Sequence, residues 1–350
     1  MKSASQVARE SREQHGKRFN SLQGATLLNA NGDIDLTGLG YQIAIDTLTY
    51  IKKQVVEQSF YMIEPAKFVP MPVGEGSFAQ AMLTNLSLST SGKFEEGIIN
   101  QGSNNDRLAT ADAAVTAVSV PVINWAKSVG YSIFEVQQAL LSGNWDPIEQ
   151  KHRARKENWD LGIQEIAFLG ASSRTDVRGL INQSDVNINT TLVPVPISEM
   201  SVGEFSTFVG TIIAAYLTNC NQTRYPNIFV MPLSDYVGLA VPVSTSAALG
   251  SKLEYLRKAF AEIVPGGVEI MATAYNNAEI NNDLRGLNKN RYVLYRKDVQ
   301  TLRMDIPVDY TTTSPGTLNN FQFQDAAYAQ FTGVKAYKPL EVLYLDETAV

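Results

Sequence analysis

The chain has 350 residues, of which 44% are hydrophobic and only 18% charged, with a net charge of −6. That length can bury a substantial core, in one large domain or two intertwined ones. The acidic balance argues against a dedicated nucleic-acid binder, whose footprint is basic, and a single cysteine, Cys220, excludes an internal disulfide framework.

Residues 1–40 read as an arm. Lys2, Arg9, Arg12, Lys17 and Arg18 stand against Glu10 and Glu13, and Gly, Asn and Asp then dominate through Gly40. Too few apolar residues recur there to hold a packed element. Met1 to Asn20 lacks the apolar stretch of a signal peptide. The longest obvious apolar run, Ile212 to Leu217, is too short to span a bilayer. The expectation is a protein made in a cytoplasm, with no membrane partner.

From Tyr41 to Tyr61, Ile45, Leu48, Ile51, Val55 and Val56 recur at helical spacing until Pro65, Pro70 and Pro72 break the pattern. Residues 78–118 are thinly hydrophobic. Leu83, Leu86 and Leu88 alternate as in a strand, and a Gly, Ser, Asn and Thr stretch follows from Ser89 to Asp112. So long a polar passage inside a domain needs a reason, and a two-stranded flap reaching from the body supplies one. Val118, Val120 and Val122 then alternate as a strand, with Pro121 favouring an edge or bulge.

Ser132 and Glu135 hold the capping-box spacing at the head of a helix to Leu141. Asp146 and Pro147 then open a longer helix that closes at Leu169, before Gly170. Its C-terminal half carries an apolar stripe of Trp159, Ile163, Ile166 and Ala167, which continues N-terminally into the polar His152 and Arg155. The expectation is a helix half buried and half projecting. Residues 195–310 alternate helices (201–217, 235–239, 251–263) with strands (227–231, 268–273, 291–296, 300–304), an α/β layer with its own core, and 321–345 is strand-rich again. The fold class is α+β.

Chemistry is sparse. His15 and His152 are the two histidines, and neither has a serine, cysteine or carboxylate at catalytic spacing. Gly74-Glu75-Gly76 is a turn, not a dinucleotide fingerprint. Asn29, Asn31, Asp33 and Asp35 mimic a calcium loop, but Ile34 replaces the required glycine and Gly40 the bidentate glutamate. No catalytic, cofactor-binding or metal residue is assigned. The one charge cluster, Lys151, His152, Arg153, Arg155 and Lys156, is either a solvated helix face or a surface facing phosphate without base specificity.

Between Val118 and Leu180 the chain reads V-S-V-P-V-I-N-W-A-K-S-V-G-Y-S-I-F-E-V-Q-Q-A, then a long helix closing on A-F-L-G, then G-L-I-N at Gly179 to Asn182. This order resembles phage major capsid proteins of the HK97 fold, in particular the group related to encapsulin-type shells. L-R-M-D-I-P (Leu302 to Pro307) and G-V-K-A-Y-K-P-L-E-V-L-Y-L (Gly333 to Leu345) are similar to the closing strands of those proteins.

The resemblance implies an N-terminal arm (1–40), a P-domain N-terminal helix and connection (41–79) and an extended E-loop laid on a neighbour (80–118). A peripheral P-domain with a spine helix (119–194, helix 147–169), an axial A-domain (195–310) and strands returning to the P-domain (311–350) follow. It implies a structural, non-enzymatic subunit that assembles with itself into hexamers and pentamers around double-stranded DNA. Scaffolding, portal and decoration proteins are further expected partners, and the location is the virion, assembled in the host bacterial cytoplasm. Lys151, Arg153, Arg155 and Lys156 are the candidates for facing the lumen. Lys93 lies where some relatives carry a cross-linking lysine, but no partner asparagine is identifiable, so that chemistry is not carried over. A nanocompartment shell holding a cargo enzyme is the alternative.

Overall fold

A computed structural model describes residues 60–91, 110, 112–142, 147–242, 250–319 and 321–348. The arm, the Tyr41 to Tyr61 helix up to residue 59, Asp146 and Lys93 therefore lie outside the described residues. In chain order the elements begin with β1 (Met82–Ser91), β2 (Asp112–Ser132), α1 (Ile133–Ser142), α2 (Pro147–Leu169) and β3 (Asn187–Asn189). Next come α3 (Val202–Asn219), β4 (Ile228–Pro232), α4 (Leu233–Ala240), α5 (Lys252–Ile263), β5 (Glu269–Thr273) and α6 (Ala278–Arg285). The remainder is strand: β6 (Arg291–Tyr295), β7 (Leu302–Met304), β8 (Val308–Thr312), β9 (Gly316–Asn319), β10 (Gln322–Thr332), β11 (Val334–Ala336) and β12 (Val342–Asp346).

β1 and β2 form an antiparallel ribbon, in register from Met82 opposite Pro121 to Ser91 opposite Asp112. The other half of β2, Val122 to Ser132, pairs antiparallel with β10, which in turn carries β8 and β9. The change of partner falls at Pro121. Val122 donates its N–H to the Ala81 carbonyl on the β1 side. Alternation of the ladder therefore turns the Pro121 nitrogen to the opposite edge, where no donor is needed.

The spine helix α2 starts at Pro147 and stops before Gly170, whose φ of +74° suits glycine. Every C-terminal carbonyl of α2 finds a donor, as a buried helix end requires. Gly170 N–H bonds Ile166, and the N–H groups of Leu180 and Ile181 bond Ala167 and Phe168 at 2.8 and 3.1 Å. Asn182 Nδ2 donates to Leu169 at 2.7 Å, while its Oδ1 accepts from Gly179 N at 2.7 Å. The G-L-I-N segment is thus the cap of the spine helix. A Cβ on Gly179 would lie 2.3 Å from Phe168 carbonyl atoms, so glycine alone fits.

The stripe expected on α2 is present: Trp159, Ile163 and Ala167 are buried, and Ile166 packs beside them. It also holds Gln164, which sequence reading passed over. This side chain is 1% exposed and joins Ile63 N, Tyr61 O and Tyr275 Oη to the helix. At the head of α1, Ser132 Oγ accepts from Glu135 N and Glu135 Oε2 accepts from Ser132 N, both at 3.2 Å, completing the expected capping box.

The second sheet has the order β3-β12-β6-β4-β5, with β3/β12 and β4/β5 parallel and the middle pairs antiparallel. Its three inner strands, β12, β6 and β4, are buried on both faces, so alternate residues serve two cores. Ile228, Val230, Val293, Tyr295, Val342 and Tyr344 join the core of α2. Phe229, Met231, Tyr292, Leu294, Leu343 and Leu345 join the core of α3, α4 and α5. Six buried apolar side chains of α3 contribute on the order of 10 kcal/mol to that second core. Ser201 and Glu204 cap α3 reciprocally.

Residues 195–310 carry the core expected of them, around α3, α4 and α5, with Val193, Leu343 and Leu345 joining it from outside that range. β12 lies inside their sheet, paired with β6 and β3, and the sheet is a wall common to both cores. Sequence reading also passed over β3, α6, β8 and β9. Two asparagines and an aspartate dilute the helical signal of α6, and three-residue β3 is a strand only because β12 pairs with it.

Candidate functional site

The ribbon is the first candidate. From Leu86 and Ala117 outward, its described residues are exposed on both faces. One face bears Leu86, Leu88 and Val115, at 75%, 66% and 60% exposure, with Leu88 directly opposite Val115. A two-stranded ribbon with uncovered apolar side chains is marginal by itself, and contiguous exposed apolar side chains mark interaction surfaces.

The second candidate is the basic stretch of α2. Lys151 Nζ lies 3.0 Å from Glu135 Oε2 and also donates to the Gly130 carbonyl at 3.1 Å. Lys156 Nζ meets Asp160 at 2.6 Å and sits 5.0 Å from the centre of the Tyr310 ring. Arg153 is exposed. The lysines of this face are therefore tied to carboxylates of α1 and α2.

Arg155 does not belong with them. It is 3% exposed and points into the body. Its Nη2 lies 2.8 Å from Asp325 Oδ2, its Nη1 donates to the Asp325 carbonyl at 3.3 Å, and its Nε donates to Tyr310 Oη at 3.0 Å. Burial works against the charge, but the bonds and attraction of Asp325 and Tyr310 outweigh it and raise the guanidinium pKa. The expectation that this half of the helix projects is corrected at Arg155, while Arg153, Ala154 and Lys156 around it are exposed. Arg155 continues the stripe of Trp159 and Ile163 at a spacing of four, and a buried carboxylate of β10 receives it. His152 Nδ1 completes the group, 3.5 Å from Asp325 Oδ2 and 3.2 Å from Arg155 Nη2.

Elsewhere, buried polar groups tie elements together. Asp235 accepts from Ile197 N, Ser198 Oγ and Tyr292 Oη; burial, with Asp235 beside it, raises the Tyr292 pKa. Arg291 meets Asp346 through two bonds of 2.6 and 2.7 Å. Cys220 is buried. Among the described residues no group of three or more His, Cys, Asp or Glu is placed to hold a metal ion, and no helix is long and apolar enough to cross a membrane.

An α+β subunit with an exposed ribbon, a capped spine helix and a sheet walled by two cores has the HK97-like architecture of capsid subunits. The capsid protein of Myoviridae phage XM1 superposes with a TM-score of 0.68 at 19% identity, over 89% of this chain and 100% of that one. That of cyanophage P-SCSP1u gives 0.55 at 11% identity, over 87% and 94%. A chain from Mycobacterium phage Ogopogo gives 0.53 at 12%, over 86% and 96%. A comparison with curated protein sequences finds no match.

The family model for major capsid proteins matches residues 97–348, and the chain belongs to that family. It is a major capsid protein, a structural subunit of a phage capsid. These matches favour the phage shell over a compartment for a cargo enzyme.

Proposed function

We propose that this chain performs no reaction and acts by assembling with itself into hexamers and pentamers, which close into an icosahedral shell around double-stranded DNA. In this reading residues 80–118 lie across a neighbouring subunit, residues 1–40 form an arm, and 119–194 with 311–350 make the peripheral domain. Residues 195–310 meet at the capsomer centres. Ring contacts of this kind are heterologous and close by rotation. The observation that carries the reading is the ribbon, whose Leu86, Leu88 and Val115 are uncovered in a single subunit. A neighbouring copy supplies the missing cover.

Lys151, Arg153 and Lys156 face the lumen in this arrangement and neutralise phosphate without reading sequence. Assembly takes place in the host bacterial cytoplasm, with scaffolding, portal and decoration proteins as partners. Negative-stain microscopy and size-exclusion chromatography of the expressed chain test the proposal. Closed shells or capsomer rings are expected. A monomer that persists across salt and protein concentration overturns it.

A further inference from the structure

The root of the ribbon holds a polar group that neither the core nor the basic face explains. Asn85 of β1 turns its side chain away from β2 and into the body. Its Oδ1 accepts from Arg303 Nη2 at 2.5 Å, and its Nδ2 donates to Tyr337 Oη at 2.7 Å. Among the described side chains of β1, no other makes a hydrogen bond outside the ribbon: Thr84 reaches only Ser119 of β2.

The two receiving groups are themselves held. The Arg303 guanidinium lies 5.0 Å from the Tyr337 ring centre, and its Nε is 3.1 Å from Asp305 Oδ1. Asp305 is 4% exposed at its side chain, and its main-chain N and O are joined to Thr332 of β10 at 3.0 and 2.9 Å. Arg303 is also paired with Lys335 through the β7/β11 ladder. Besides the backbone link that β2 makes by running on into the β10 ladder, this amide ties β1 to Arg303 of β7 and to Tyr337 beyond β11. Beyond Asn85 both faces of the ribbon are exposed, so no packing further out corrects its direction.

We infer that Asn85 is a positioning residue for assembly: with Arg303 and Tyr337 it sets the angle at which the ribbon leaves the body, and so the angle between lapped neighbours. The second half of this statement rests on the lapped arrangement proposed above; the first does not. Six residues separate Asn85 from Ser91, an arm of about 20 Å at about 3.3 Å per residue. A tilt of about 10° at the root therefore carries Ser91 through about 3 Å, far outside the tolerance of a packed interface.

The test uses the full chain with Asn85→Leu, which removes both bonds at similar volume, and Asn85→Asp, which keeps both. An aspartate accepts from Arg303 and from the Tyr337 hydroxyl, which rotates to donate. Spin labels at Ser87→Cys on the ribbon and Ser173→Cys on the body report the angle by pulsed dipolar spectroscopy, and the buried Cys220 stays unlabelled. The expected result is a narrow distance distribution in the parent and in Asn85→Asp, and at least a twofold broader one in Asn85→Leu. An unchanged width in Asn85→Leu overturns the inference, as does equal broadening in both variants.

Microscopy of the same proteins reads the consequence. Parent and Asn85→Asp particles are expected to share one diameter, while Asn85→Leu gives open or mixed-diameter particles with an unchanged melting temperature. Uniform parental shells from Asn85→Leu refute the link to shell geometry. A parent that forms no particle refutes the proposed lapping instead, and the distance distributions still decide the role of Asn85.

Discussion

Replacing Arg155 with alanine separates two accounts of the spine helix. In the structure this change leaves Asp325, whose side chain is 4% exposed, with only His152 Nδ1 nearby at 3.5 Å among the described residues, and removes the donor to Tyr310 Oη. Breaking one partner of a buried ion pair costs about 3–5 kcal/mol, because the remaining charge is left without compensation. For a chain of this size each kcal/mol moves the midpoint by roughly 1.4 °C, so Arg155→Ala is expected to melt about 4–7 °C below the parent. Differential scanning calorimetry of unassembled subunits measures this. The double variant Arg155→Met with Asp325→Leu, which removes both charges, is expected to recover most of the loss. A melting temperature within about 2 °C of the parent, together with reduced DNA content in particles, refutes the buried-pair account and returns Arg155 to the lumenal face.

Three further outcomes follow from named contacts. Gly179→Ala drives a Cβ into the Phe168 carbonyl and is expected to cost about 3 kcal/mol through the cap of α2, read by denaturant melts. Leu86→Ser with Leu88→Ser alters only exposed side chains, so subunit stability should move by less than about 0.5 kcal/mol while particle yield in sedimentation falls at least tenfold; parental yield counts against the lapping. Lys151→Gln, Arg153→Gln and Lys156→Gln together should leave shells intact but reduce the salt dependence of DNA retention by up to about 2–3 in log–log slope. An unchanged slope removes these residues from the lumen.

What could be read from the sequence was local. Ser132 with Glu135, Pro147 and Gly170 mark helix ends, because capping and φ preferences act within a few residues, and the structure places α1 and α2 at those marks. The ribbon was legible as a stretch too polar to be core. Arg155 was misassigned because its type outweighed its position: spacing put it on the buried stripe, but its carboxylate partner lies 170 residues away. Asn85 and Arg303 are 218 residues apart, and no local pattern marks either. The second core was legible, but the strand that β12 adds to its sheet was not, for the same reason. β12 alternates apolar residues on both faces, which tells that it is buried but not between which strands.

The place of β12 also governs when the molecule becomes whole. It lies between β3 and β6, with Arg291 locked to Asp346 at its end, and synthesis reaches it after every other element described. A nascent chain can form α3 and its cap early, but neither core has its wall until β12 has cleared the ribosome. Chains cut short before this strand therefore lack both finished cores, and with them the rigid body from which the ribbon projects.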